Sequence, residues 1–332
     1  MITTLRRALA VAASAILALA PLTAGDPPLK IGYSDYISFT AWEIAQQKGW
    51  FKAAGVEVEL VWFEYAPSME AFQAGKIDAL NVASPDMLVM AGAGKKRSTA
   101  VLITDYSNGN DMIIAKPGIA NVAALKGLKI GVEVGLVDHL LLQKALESAS
   151  LKESDVTLVN MPTTETPQAL KGGSVDAVAC WQPNANSTLK LVPGSKPVFT
   201  SASAPGLIYD VLTVGDESLK ARRADWVKVA KVWGQVAAFI ADPKTRAEAG
   251  DIMGAKVGVK GSEYLRFLPG SRLHTLAENV PVLDAAKKSD LATLLGSLVV
   301  SDQFNTAMKA YDVKLDLATM IDGSLVAEAV KP

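Results

Sequence analysis

The sequence predicts an α/β protein with two lobes, each a mostly parallel sheet flanked by helices, and a hinge between them. Three observations carry this. A ten-residue pattern occurs twice, "AFQAGKIDAL" at 71–80 and "ALKGGSVDAV" at 169–178, 98 positions apart. Upstream of each copy "LKIG" recurs, at 29–32 and 128–131, and "VELV" at 58–61 is answered by "VTLV" at 156–159. Within each copy, short β-branched runs alternate with stretches whose apolar residues fall at helical spacing. Strands alternating with helices predict parallel pairing through right-handed crossovers.

The elements follow in order. "LKIGYS" is the first strand and its exit turn. Trp42, Ala45, Gln46, Gly49 and Trp50 mark a helix. After the second strand, Pro67 suits a helical first turn and Gly75 suits its C-terminal cap; Pro167 and Gly173 repeat the pair. Ile77 and Val175 open the third strand of each unit, and Asp78 and Asp176, just after them, cap and orient the strand entry. "PGLIYDVLTV" at 205–214 reads as a strand returning to the first lobe. Trp226, Val229, Ala230, Trp233, Ala237 and Ile240 form one apolar stripe of a core-facing helix, and further helices are expected over 291–300 and 303–311. Lobe one is thus expected to be discontinuous, 25–111 plus 208–332, with lobe two at 112–207 and hinges in "SNGNDMIIAKPG" and "SASAPG".

Residues 1–24 read as a secretory signal. Arg6 and Arg7 precede an apolar run from Ala8 to Ala20, and small residues lead to a cleavage point after Ala24. The run is short for a bilayer span. The mature protein is expected in the periplasm. With Lys+Arg 33 and Asp+Glu 34 there is no basic field for nucleic acid. One cysteine, Cys180, forms no internal disulfide and sits in an apolar strand, where it should be buried and inert. With two histidines and one cysteine, no Cys/His metal site is expected. Of the two, His139 reads as a capping or surface residue. No nucleophile elbow, zinc-protease helix, phosphate loop or dinucleotide glycine pattern occurs, so no catalytic residue and no cofactor is assigned.

An exported two-lobe chain carrying "LKIGYS", "GWFKAAGVEVELVWF", "AFQAGKIDAL", "LKGLKIGV" and "LKGGSVDAVACWQP" resembles the substrate-binding proteins of ABC importers. The branch is the one with nitrate, sulfonate, taurine and thiamine-precursor binders. The resemblance spans most of 29–215 and implies a type II periplasmic-binding-protein fold, closure on a small solute, and delivery by a monomer to a membrane permease and its ATPase. A thiamine-pyrimidine synthase uses a related scaffold, but its cysteine-rich metal loop and active histidine are not visible here.

In open α/β sheets ligands sit beyond the carboxyl ends of the strands. The residues there are Asp35 and Tyr36, Glu64, Ser84 and Asp86 in lobe one, and Glu133, Trp181 and Gln182 in lobe two. Asp138 lies in the following helix start, Asp111 flanks the hinge, Asp210 lies where the chain returns, and Trp42 is a candidate flat wall with Tyr36 and Trp181. The set holds carboxylates and aromatics and no Arg or Lys. In lobe two, "GVEVGLVDHLL" stands where an anion-binding relative would offer a Gly-Thr-Thr type run. These residues predict a small nitrogen-containing cation, guanidine or amidinium-like, with taurine or another alkanesulfonate, nitrate and a thiamine pyrimidine precursor as alternatives.

Overall fold

The computed structural model describes residues 26–94, 96–284 and 291–331. The expected signal segment lies outside them. Two sheets form. The strands are β1 (Leu29–Tyr33), β2 (Val58–Trp62), β3 (Ala79–Ala83), β4 (Ser98–Ser107), β5 (Asp111–Ala115), β6 (Lys129–Val132), β7 (Thr157–Asn160), β8 (Ala177–Trp181), β9 (Lys196–Thr200), β10 (Tyr209–Gly215) and β11 (Ser271–Leu273). The first sheet runs β11-β4-β10-β3-β1-β2 and the second β7-β6-β8-β5-β9.

The two copies of the repeat are the same structural unit. In each, the first strand pairs in parallel with the second and the third: β1 with β2 and β3, β6 with β7 and β8. An antiparallel strand then closes each unit beside its third strand, β10 on β3 and β5 on β8. The repeated aspartate staples the unit together. Asp78 accepts the backbone N–H of Lys30 at 2.8 Å, and Asp176 that of Lys129 at 3.1 Å. Each therefore ties the entry of the third strand to the start of the first. Gly75 and Gly173 end the preceding helices with φ of 71° and 80°, a backbone region that side chains with a Cβ avoid.

Local differences from expectation have simple causes. Helix Tyr65–Gln73 starts two residues before Pro67, which sits within its first turn, where N–H groups have no helical partner anyway. The apolar stretch after β1 is three short helices, Ile37–Thr40, Trp42–Gln47 and Trp50–Ala53, the last entered through left-handed Gly49. The helices expected over 291–300 and 303–311 are one, Leu294–Ala307, because no breaker separates them. The stretch 107–118, expected as a hinge, contains β5 itself, whose apolar Met112–Ala115 is drawn into the second sheet. The crossing between sheets is accordingly short, from Ser107 to Asp111, and the return runs from Thr200 to Tyr209.

Helix Arg223–Ala241 buries its predicted stripe, with Trp226 and Trp233 fully covered. One hydrophobic cluster runs through the molecule, and a smaller one lies behind β8 around Leu170, Val178 and Cys180. No described helix is long and apolar enough to cross a membrane.

Candidate functional site

The carboxyl ends of β1 and β3 and the amino end of β10 face the carboxyl ends of β6 and β8 across a closed cleft. Tyr36, Phe39, Tyr65, Asp111, Val137, Trp181, Ile208 and Asp210 are among the residues lining the space between the lobes, about 10 Å³ of free volume, the room of roughly one water. Tyr65 meets Trp181 edge-on at 5.0 Å from the opposite lobe. The lobes as closed here leave a water-sized gap between aromatic faces, so a guest of several heavy atoms enters only as they part.

Two carboxyl groups, Asp111 and Asp210, line this space, and further buried acids lie around them. Asp86, Asp105, Asp111, Asp138 and Asp210 are all buried, and Glu133 is 8% exposed. The buried polar and charged residues include no Lys or Arg among the described residues. Loss of water is the first cause of each pKa rise. Asp86 is pushed up to about 8, Asp111 and Glu133 to about 7 and Asp105 to about 6. Asp138 and Asp210 lie well above the usual carboxylate range, raised by burial and then by their acidic neighbours Asp111 and Asp105. Asp35 is raised too, chiefly by burial.

The hydrogen-bond inventory is one-sided. Eleven buried side-chain atoms have no partner among the described residues, and six are carboxylate oxygens: Asp86 Oδ1, both of Asp105, both of Asp138 and Glu133 Oε2. The other five are the hydroxyls of Ser34, Ser84, Thr163 and Thr213 and the amide oxygen of Asn305. Six ionised carboxylate oxygens and one amide oxygen only accept, against four hydroxyls that can also donate, so the balance is towards acceptors.

The acids arise from the paired units and their antiparallel strands. Asp210 on β10 stands directly opposite Asp105 on β4. Asp111 opens β5 opposite Trp181 and accepts a bond from the Ser107 hydroxyl. Asp138 sits in the first turn of helix Val137–Ser148, within hydrogen-bond reach of Asp111. Asp86, in the first turn of helix Ser84–Ala93, accepts the Tyr65 hydroxyl at 2.6 Å and, across the cleft, the Val137 N–H at 3.3 Å. That last contact matters for the ligand. A helix N-terminus is where an oxyanion would dock, and here the protein's own carboxylate occupies one of its donors.

The lobes are also tied directly. Asp35 accepts Trp181 Nε1 at 3.0 Å and Asn184 Nδ2 at 2.8 Å. On the far side Glu263 accepts Asn186 Nδ2 at 2.6 Å and pairs with Lys190.

Several sequence expectations need correction. Trp42 is not a cleft wall. It is fully buried in lobe one, donates Nε1 to Asn81 Oδ1 at 2.9 Å, and packs on Phe51 and Trp233, because its helix turns that face to the core. Glu64 is exposed at the start of helix Tyr65–Gln73, outside the lined space. Gln182 turns to its own chain and accepts the Asn186 N–H at 3.0 Å, as a helix-start residue does. His139 is neither a cap nor a surface group. It is buried, accepts the Gly135 N–H on Nδ1 and pairs through Nε2 with Glu153 at 3.0 Å. Ser84 and Asp138 are buried beside the cleft without lining it, whereas Tyr36, Asp111, Trp181 and Asp210 do line it. Phe39, which lines the cleft, stands outside the expected set. Tyr65 and Asp105 stand at the ends of strand segments, a signal open to sequence reading; Phe39 offers none. Cys180 is buried and burial pushes its thiol up, which keeps it unreactive. No cluster of three or more metal-ligating side chains occurs among the described residues.

A family model for the NMT1-like family matches residues 23–254. The chain belongs to the NMT1-like family. Among the relatives of this NMT1-like chain is a "Putative binding protein" of Brucella abortus (strain 2308), 31% identical over 173 residues, 52% of this chain and 53% of that protein. The match thus spans about half the length of that curated relative. A "Putative aliphatic sulfonates-binding protein" of Bacillus subtilis (strain 168) is 25% identical over 295 residues, 87% of this chain and 84% of its own. The solved alkanesulfonate-binding protein SsuA of Xanthomonas axonopodis pv. citri, bound to MOPS, superposes with a TM-score of 0.74 at 19% identity, covering 89% of this chain and 98% of that one. The NMT1-like chain therefore has the two-lobe fold of periplasmic binding proteins.

Proposed function

We propose that this chain is the extracytoplasmic solute-binding component of an ABC importer and that it captures a small organic cation of the guanidinium or amidinium type between its lobes. One observation carries the ligand reading: two buried acids, Asp111 and Asp210, line an aromatic-walled space, six unpartnered carboxylate oxygens lie on buried acids around them, and no Lys or Arg among the described residues is buried with them. Leaving a buried charge unpaired costs several kcal/mol, on the order of 3–5. A guanidinium ion brings a positive charge, a flat face and N–H donors with no acceptor, the complement of that surplus. Contact with one carboxylate is worth about 4 kcal/mol at an effective dielectric near 20, and an aromatic face adds roughly 0.5–2 kcal/mol. Hinge closure over the solute suits the two-lobe design, and release to a permease–ATPase pair in the inner membrane is part of the same proposal.

The names of the sulfonate-binding relatives favour a second reading, an alkanesulfonate or nitrate. Against it stand the acidic lining and the Asp86 carboxylate on the Val137 N–H. Isothermal titration of the mature protein at mildly alkaline pH with guanidinium chloride, taurine and nitrate separates the two. Saturable guanidinium binding with no heat from the anions is expected. Binding of taurine or nitrate without guanidinium would replace the cation reading by the anionic one.

A further inference from the structure

Six buried acids without a base raise a question about the empty protein. Asp210 and Asp105 face each other across neighbouring strands, and like charges so placed repel. The oxygens of Asp105 make no hydrogen bond of ordinary geometry, although Ser38, Thr104 and Ser271 lie close. Asp138 is fully buried with both oxygens unpartnered, beside Asp111. Two carboxyls in one dry site cannot both ionise, and the stable arrangement is a single proton held between them.

We propose that solute capture is an exchange of a cation for protons: in the empty cleft the pairs Asp105–Asp210 and Asp111–Asp138 each hold a proton, and the arriving cation drives at least one into the solvent. This rests on the cation reading above. Charge balances simply, since one positive solute enters and one or more protons leave to the buffer. The groups that face the pairs all point the same way. From lobe one they are Tyr36, Tyr65 and Asp86; from lobe two, Glu133 and Cys180. Each is an acid, so each resists a second negative charge. The histidines lie off this cluster. His139 is turned to Glu153, and His274 bonds the Arg272 carbonyl against the rings of Tyr106 and Tyr209. Arg272, in turn, pairs with Glu278. Nothing basic therefore reverses the sign. Affinity for the cation rises with pH, by up to about tenfold per pH unit for each proton released.

The test is titration with guanidinium chloride in phosphate and in Tris at one pH, then in a pH series. The expected result is a binding heat that differs between the buffers by their ionisation heats, and an affinity at least about tenfold greater near pH 8 than near pH 6. Asp138→Asn removes one member of a pair, and fewer protons should then be released per guanidinium bound. Asp210→Asn serves in its place if the first variant does not melt cooperatively. Guanidinium binding with buffer-independent heat and an affinity flat in pH would overturn the exchange and leave the cation reading standing. Failure of guanidinium, acetamidine and methylammonium to bind at any pH would overturn both.

Discussion

Trp42 and Trp181 show what environment makes of one side chain. Trp42 gives its ring to Phe51 and Trp233 and its N–H to Asn81, all within lobe one. Trp42→Ala should cost about 3–5 kcal/mol, the range for large aromatic truncations, and lower the melting midpoint by several degrees. Trp181 faces the other lobe, with its ring on Tyr65 and its N–H on Asp35. Trp181→Phe keeps the aromatic wall and removes that bond. A hydrogen bond to a carboxylate is worth about 1.5–3 kcal/mol, so guanidinium affinity should fall roughly ten- to a hundredfold while the melting midpoint moves little. Calorimetry and a thermal melt on both variants check the contrast. An equal loss of stability in both would show that Trp181 is core as well.

At the scale of elements, the duplicated unit is held by its duplicated aspartate. Asp78 and Asp176 lie in different sheets and share no partner, so their contributions should add. Asp78→Ala and Asp176→Ala are each expected to lose about 0.5–1.5 kcal/mol in denaturant unfolding, and the double variant the sum. Both stand at the amino ends of their strands, away from the cleft, so guanidinium affinity should stay unchanged. The clasp between Glu263 and Asn186 and Lys190 of helix Asn184–Leu191 behaves oppositely. It joins the lobes and touches no cleft residue, so Glu263→Ala should speed solute dissociation with little change in stability, as stopped-flow fluorescence of the cleft tryptophan would report.

For the whole molecule, the buried acids set how stability depends on pH. Carboxyls whose folded pKa is raised stabilise the fold fully below their unfolded value near 4 and lose that contribution as pH rises through the folded value. The rises to about 6, 7, 7 and 8 at Asp105, Asp111, Glu133 and Asp86 place this loss between about pH 4 and 8. Burial lowers the pKa of His139 and His274, which act in the opposite direction below about pH 6.5 and are neutral in both states above it. The melting midpoint of the empty protein should therefore fall from about pH 6.5 to about pH 8.5, and low-millimolar guanidinium should restore most of the loss at the upper end. Differential scanning calorimetry across that range tests it. A flat profile would mean the acids keep their ordinary ionisation in the folded state.

The sequence by itself determined the two-lobe architecture, because that rests on periodicity and on short-range chemistry. The repeat offset, the glycines that end helices and the aspartates that open strands each act within one β–α–β unit. It also determined the sign of the cleft, since strand ends are readable and the residues there are acidic. What only the tertiary structure decided is which side chains share one dry space. Helix rotation sent Trp42 inward and left Glu64 in water, while strand register set Asp210 against Asp105. Those outcomes depend on packing between segments more than a hundred residues apart, where no local pattern carries the information.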